Sequence, residues 1–388
     1  MMTPRERMLA ALTFRTPDRV PLSPGGGRRS TRETWHRQGL PESVRDPAEY
    51  AYRQLGGALP WPEVQAGFPV SERMIPEFEE KIIEERPESR IVQDWKGNVC
   101  EISNAFTPEY LRQAIDFVTR RWIKLPVETR ADWERMKRRY DASDPVRLPG
   151  HPAERGCSLE ARDGFLELHF SGPFWQLREW VGFEALCTLF YDDPAFIEEM
   201  ISFWSDYIAA LLERALAVVT PDSVHFSEDM AYKGYSMISP AMARQYLQPV
   251  WTRWGEIIRG AGVPLYAMDS DGFIGELIPL WLESGINVCD PIEVAAGNDI
   301  VAFRREFGHD MAFRGGVDKR AMARGGEALR TEIARIRPVV EDGGFIPGCD
   351  HGVPPDVSWT NYVETVRLLA GVCGWLDCNT ARSSKGSV

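Results

Sequence analysis

The chain has 388 residues, of which 44% are hydrophobic and 26% charged, and its formal net charge is -12. This is the composition of a folded globular protein, long enough for one large α/β domain or two ordinary ones. The acidic balance (pI about 5.2) argues against a nucleic-acid footprint, which needs a basic patch or stripe, and disfavours anionic membrane surfaces.

No apolar run approaches the roughly 18 residues of a membrane span. The segment Met1 to Thr13 is charged and lacks an apolar stretch, so it is not expected to act as a secretory signal. The cysteines Cys100, Cys157, Cys187, Cys289, Cys349, Cys373 and Cys378 are scattered, odd in number and free of CxxC spacing. That pattern suits free thiols in a reducing cytoplasm better than a disulfide scaffold.

The first half is irregular. "TPRERMLAALTF" reads as a short helix with Thr3 as N-cap and Pro4 at its first position. "DRVPL" reads as a short strand and "SPGGGRRS" as a loop, and residues 46–57 look helical. "IVQDWKGNVCEI" alternates apolar and polar residues around Lys96-Gly97, a β-hairpin pattern. "RADWERMKRRYD" is a charged helix, and the Pro- and Gly-rich residues 142–158 read as a loop.

From about residue 163 the pattern becomes regular. "FLELHFSGPFW" reads as strand and loop, followed by a helix over roughly Asp193 to Val219 and the strand "SVHFSED". "SPAMARQYLQPVWTRWGEIIRGAG" is a helix capped by Ser239, then "PLYAMDSDG" is a strand and "GELIPLWLESG" a helix. "INVCDPIE" is a strand with a helix over 298–307, and "MAFRGGVDK" a strand with a helix to about 337. "GFIPGCDHG" is the last strand and "SWTNYVETVRLLAGV" the last helix, before a polar tail. Strand–helix units in series imply a parallel sheet. Without a phosphate-loop glycine motif, they favour an α/β fold of the (β/α)8 TIM barrel type over an open doubly wound sheet. The expected organisation is a single barrel domain over 1–375 with an irregular N-terminal part, and a flexible tail over 376–388.

In such barrels the chemistry sits at the C-terminal ends of the strands. Those ends carry Glu228-Asp229, Asp269-Ser270-Asp271, Asp290, Arg314 to Lys319 with Asp318 among them, and Cys349-Asp350-His351. One strand-end aspartate is more often a helix cap than a ligand. Five consecutive acidic strand ends are harder to read that way, and converging carboxylates need a metal, a cation or shared protons. His36, His151 and His309 read as surface residues, and His169 and His225, inside strands, as satisfied core histidines. His351 lies in a turn between an acid and a glycine, a functional setting. Cys349 could be a ligand too, although a lone cysteine in an apolar strand more often packs.

The segments "MTPRERMLAALTFRTPDRVPL", "MISPAMARQYLQPVWTRWGEIIRGAGVPLYAMDSDG", "GGVDKRAM" and "GFIPGCDHGVPPDVSWTNYVETV" resemble the uroporphyrinogen decarboxylase superfamily. The resemblance covers most of residues 1–375 and is strongest after 220. It implies a TIM barrel and one of two chemistries. The decarboxylases carry an arginine-rich R-x-A-G-R type motif, which "SPGGGRRSTRETW" lacks, although "CDHG" places His351 on their histidine. The corrinoid-linked, zinc-dependent methyltransferases carry H-x-C-G and a later Cys-Gly turn. Aligned by the glycines, those ligands fall on Asp269, Asp271 and His351.

This resemblance implies a divalent metal on Asp269, Asp271 and His351, with Glu228 as a fourth ligand or as the acid that protonates a leaving oxygen. Carboxylates and imidazole are harder ligands than thiolates; they suit zinc first, with manganese or iron as alternatives, and an oxygen-bearing substrate. The implied catalytic residues are Glu228, Asp271 and His351, with Tyr235, Arg314 and Asp318 lining the substrate pocket. The implied reaction moves a methyl group between a small methoxy-type substrate and a corrinoid. That corrinoid is expected on a partner protein, because no D-x-H-x-x-G pattern occurs in the chain. A homodimer is a further expectation from the superfamily. The rival readings are decarboxylation of a porphyrinogen or other acidic substrate, and a non-catalytic barrel whose acids cap helices.

Overall fold

The computed structural model describes residues 2–57, 65–66, 68–113, 118–148 and 162–376. The tail expected over 376–388 lies outside these from residue 377 on, as do His151 and the latter part of the loop expected over 142–158. The strands, in chain order, are β1 (Gln65–Ala66), β2 (Lys81–Glu85), β3 (Ser89–Gln93), β4 (Val99–Ser103), β5 (Arg121–Lys124), β6 (Phe165–Ser171) and β7 (Ser223–Ser227). They continue with β8 (Ala231–Tyr232), β9 (Tyr235–Ser236), β10 (Leu265–Asp269), β11 (Val288–Asp290), β12 (Ala312–Val317) and β13 (Phe345–Cys349). The parallel sheet runs in the order β1-β6-β7-β10-β11-β12-β13. Helices such as Pro194–Leu216, Gln248–Gly260, Gly326–Asp342 and Trp359–Val372 follow its strands, and the architecture is a TIM barrel. The expected Lys96-Gly97 hairpin is present as β3–β4 within an antiparallel sheet ordered β2-β3-β4-β5, outside the barrel.

Period-two alternation builds the barrel. Leu168 and Phe170 of β6, Val224 and Phe226 of β7, Tyr266 and Met268 of β10, Cys289 of β11 and Phe313 of β12 belong to the main core between strands and helices. Their neighbours face the lumen. At its floor, Phe165, Leu265, Ala267, Val288, Ala312 and Ile346 form a separate apolar layer with Met8, Ala11 and Leu12. Those last three come from the helix Pro4–Leu12, which starts with a Thr3–Glu6 capping box and closes the bottom of the barrel. Higher in the lumen the inward positions turn polar: Glu167, His169, His225, Asp269, Asp290 and Arg314.

Several elements differ from expectation. "DRVPL" forms no ladder, and its Pro21 brings no N–H to a sheet. The extended segment after it instead lies along β13, where Pro24 O accepts from Cys349 N at 3.3 Å and Gly27 bridges Val353 in parallel. Part of the "SPGGGRRS" loop opens a helix, Arg29–Arg37. The stretch after "FLELHFSG" is the helix Pro173–Val181 rather than a loop, with Pro173 at its first position. The helix expected to about 337 is two, because Gly325 adopts φ 64° between Lys319–Arg324 and Gly326–Asp342. Among the described residues no helix is long and apolar enough to cross a membrane.

Candidate active site

The ladder places the strand-end acids in one ring. Asp269 pairs in register with Ser227 on one side and Asp290 on the other. Asp271 follows in the turn after β10. Asp229, two residues past β7, adopts φ 41°, a left-handed conformation that aspartate tolerates better than most side chains and that is common at functional sites. The Asp229 carboxylate accepts the Asp271 N–H at 3.0 Å, and the Asp229 carbonyl accepts from Arg178 at 2.9 Å. One carboxylate oxygen from each of Asp229, Asp269 and Asp271 lies within 4.8 Å of the other two.

This crowding has an electrostatic signature. Burial, and then the charge of Asp290, push the Asp269 carboxyl up to about 7. Asp229 is raised by burial and by Asp271. The compensating contacts are modest: the Ser227 hydroxyl donates to Asp269 at 2.9 Å, and Arg178 lies 3.6 Å from Asp229 Oδ2. Three clustered oxygen donors with this little positive charge are the donor set of a hard divalent cation.

His351 stands beside the trio, with its Nε2 2.8 Å from Asp271 Oδ2. Its Nδ1 accepts from Arg28 Nη2 at 2.8 Å and from Gly352 N at 2.7 Å. Two donors at Nδ1 fix the tautomer, so Nε2 carries the proton and donates it to Asp271. To act as a metal ligand, His351 would surrender that proton. Arg28, from the N-terminal segment, gave no sequence signal for this contact.

Glu228 is not brought to the trio. It takes the opposite side of the chain from Asp229. Its Oε2 accepts from Phe174 N and Trp175 N at the start of Pro173–Val181, and its Oε1 accepts from Trp251 Nε1 at 2.6 Å. Burial pushes this carboxyl up to about 7. Its carboxylate is packed against Gly172, where an added Cβ would come within 2.1 Å of Glu228 Cδ. Glu228 thus anchors a helix N-terminus.

The other expected pocket residues divide. Arg314 faces the lumen but is committed, at 3.1 Å to Glu167 and 2.9 Å to Asp290. Asp318 caps Lys319–Arg324, accepting from Arg320 N at 2.8 Å, and pairs with the Arg320 side chain. Asp350 ties two loops, accepting from Val294 N and Lys319 N. Tyr235 is 64% exposed on the β8–β9 hairpin, which bonds the loop after β10 through Phe273 N to Tyr232 O. Cys349 is buried, its thiol pushed up to about 12 by burial, so it packs as a neutral side chain.

Sequence reasoning names Asp229 among the strand-end acids without giving it a site role, and takes the two strand histidines for core residues. His169 and His225 point into the lumen with their Nδ1 atoms 3.1 Å apart, and His169 is 57% exposed there. The available signal was parity: His225, Ser227 and Asp229 share one face of an extended chain, while Val224, Phe226 and Glu228 share the other.

A parallel barrel sheet with carboxylates, an imidazole and an arginine gathered at the C-terminal ends of its strands defines a TIM-barrel enzyme. A family model described as Uroporphyrinogen decarboxylase (URO-D) matches residues 169–370, just over half of the chain. The chain belongs to the uroporphyrinogen decarboxylase family. Among solved structures, a methyltransferase from Methanosarcina mazei matches with a TM-score of 0.58 at 13% identity, over 95% of this chain and 98% of that one. That likeness is one of fold. A B12-independent methionine synthase from Shewanella sp. W3-18-1 matches with a TM-score of 0.35 at 11% identity, over 55% of this chain and 63% of that one, too little to argue from. No curated protein matches the chain in sequence.

Proposed function

We propose that this chain is a metal-assisted methyltransferase that moves a methyl group between a small, oxygen-bearing substrate and a corrinoid carried on a partner protein. The observation that carries the reading is the Asp229, Asp269 and Asp271 trio beside His351 at the mouth of the lumen. The fold likeness to the Methanosarcina mazei methyltransferase is compatible with it.

Asp229, Asp269 and Asp271 would hold a divalent ion, with His351 as a further ligand once its Nε2 proton is lost. Zinc leads once the His351 imidazole completes the set, and manganese or iron fit the three carboxylates. Bound there, the ion supplies a Lewis acid that polarises a methoxy oxygen. The protein's own residues do the rest. Ser227 fixes the Asp269 carboxylate, and the Asp271 N–H fixes Asp229. His351, whose Nε2–H points at Asp271, is the proton source for a leaving oxygen, while Asp269 serves as a ligand. Glu228 supports the scaffold in this scheme, and Arg314 holds the lumen wall. Tyr235 and its neighbour Tyr232 sit exposed at the same end, placed to meet substrate or partner.

The name of the family points to a second reading, decarboxylation of a carboxylated substrate. It needs cationic anchors in the pocket, and the lumen arginine, Arg314, is taken up by Glu167 and Asp290. The remaining expectations stand as proposals: one domain over 1–375, a homodimer and a cytoplasmic location. The last is in keeping with free Cys100, Cys187, Cys289, Cys349 and Cys373.

The deciding test is elemental analysis of wild type and the Asp269→Asn/Asp271→Asn variant, combined with an assay of methylcobalamin formation from reduced cobalamin and simple methoxyarenes. The expected result is loss of about one equivalent of metal and of methyl transfer in the variant. Equal metal content and equal activity in both proteins would overturn the proposal.

A further inference from the structure

Below the aspartate trio, about two residues deeper along the strands, lies a second group of donors that the proposed reaction leaves unused. His169 and Glu167 alternate along β6, and His225 faces them from β7, where the ladder pairs it with His169. One donor atom from each of the three lies within 4.8 Å of the others. We propose that Glu167, His169 and His225 form a second metal site, which takes a borderline divalent ion such as Zn2+ and is distinct from the aspartate site.

Ring geometry is the first support. The two Nδ1 atoms are 3.1 Å apart while the ring centroids are 4.9 Å apart, with the planes at 65°. A head-on N–H···N bond would separate the centroids by about a ring diameter more than the nitrogens, with the donor near its preferred linear angle. The observed difference is smaller, so both rings lean off the line joining the nitrogens. Two imidazoles on one tetrahedral ion, with bonds of about 2.0–2.1 Å, bring their nitrogens to roughly 3.3 Å in that leaning arrangement.

The surroundings are the second support. His225 Nε2 is 3.0 Å from Asp290 Oδ1, and His169 Nε2 is 3.5 Å from Glu167 Oε1. The Asp290 carboxylate behind the far nitrogen of His225 fixes the tautomer that leaves its Nδ1 as the open donor, the arrangement typical of metal-bound histidine. Arg314 contacts both Glu167 and Asp290 and cancels one of their two charges. Two neutral nitrogens with one residual negative charge suit zinc-like ions better than Mg2+ or Ca2+. The Ser223 hydroxyl, paired in register with Glu167 on the same inner face, is buried without a hydrogen-bond partner among the described residues, a polar atom available to a ligand of the ion. The exposure of His169 keeps the site open to the lumen.

The inference does not depend on the methyltransferase reading, and different residues test it. The chelator-treated full-length protein is titrated with Co2+, whose visible absorption reports nitrogen ligation, and bound metal is measured after desalting. The wild type, His169→Gln, His225→Gln and Asp269→Asn/Asp271→Asn proteins are compared. The expected result is that the imidazole-dependent absorption and about one equivalent of ion disappear in either histidine variant and persist in the aspartate variant. His169 is exposed and its substitution spares the core, so thermal melts of that variant separate lost binding from lost folding. Equal Co2+ binding by His169→Gln and wild type, or loss of the absorption only in the aspartate variant, would overturn the proposal. The two imidazoles would then share a proton.

Discussion

Asp269 and Asp290 stand opposite each other on adjacent strands, at the same level of the same lumen, and behave as opposites. Against burial, Arg314 and His225 hold Asp290 down to about 2. Asp269 is offered a serine hydroxyl and further carboxylates, and rises to about 7. The residue type, the depth and the secondary structure are shared; what differs is the supply of positive charge. Asp290 finds its counter-charge in its own half of the lumen, and the half around Asp269 is built as though a cation belongs there.

Removing the cation from the completed half is the harshest way to break this comparison. Arg314→Met leaves Glu167 and Asp290 buried beside each other without their partner. A loss of about 3–5 kcal/mol in urea unfolding is expected, together with an Asp290 that titrates upward as Asp269 does. A variant as stable as wild type would show that the lumen is wetter than its packing implies.

Neutralising the incomplete half should do the reverse. Asp269→Asn is expected to leave the chelated protein as stable as wild type or more so, because it removes a like charge. Metal affinity should fall by at least about 100-fold, read by competition with a chromogenic chelator.

pH separates the two acids by sign. Asp269 has a raised folded pKa, so its contribution is fully present below the unfolded value near 3.8 and is lost as pH rises through about 7. Asp290 has a depressed one, so its contribution is present above 3.8 and is lost as pH falls toward about 2. Melting temperatures of chelated protein should therefore lose their fall between about pH 4 and 7 in Asp269→Asn. In Asp290→Asn the acid limb should flatten instead. Saturating Zn2+ should lift the neutral side of the wild-type profile by more than it lifts that of Asp269→Asn.

The mildest probe is Ser227→Ala, which removes the hydroxyl bonded to Asp269. A change of about 1 kcal/mol at neutral pH is expected, with the Asp269 carboxyl titrating still higher by carbon NMR.

The barrel was legible because strand–helix alternation is a long-range pattern repeated through the second half of the chain. The ring of strand-end acids was legible because barrels place their sites there. What composition at a strand end does not say is which way each side chain points. Glu228 and Asp229 are adjacent acids at one strand end, yet one supports a helix behind the sheet and the other meets the metal-type cluster. Parity separates them: Val224, Phe226 and Glu228 alternate with His225, Ser227 and Asp229. The same parity takes His169 and His225 out of the core and into the lumen. The contact of Arg28 with His351 had no local signal at all, because it spans 323 positions of chain.

That span bears on how the protein is made. The helix Pro4–Leu12 closes the floor, Pro24 and Gly27 bond the end of β13, and Arg28 fixes the histidine of the last strand turn. This segment therefore waits for β13 before its last partners exist, and part of its apolar face stays uncovered meanwhile. Contacts of such separation slow folding and prolong exposure to aggregation. Chemical competence would arrive in a single late step, since no nascent fragment short of residue 351 can orient the imidazole.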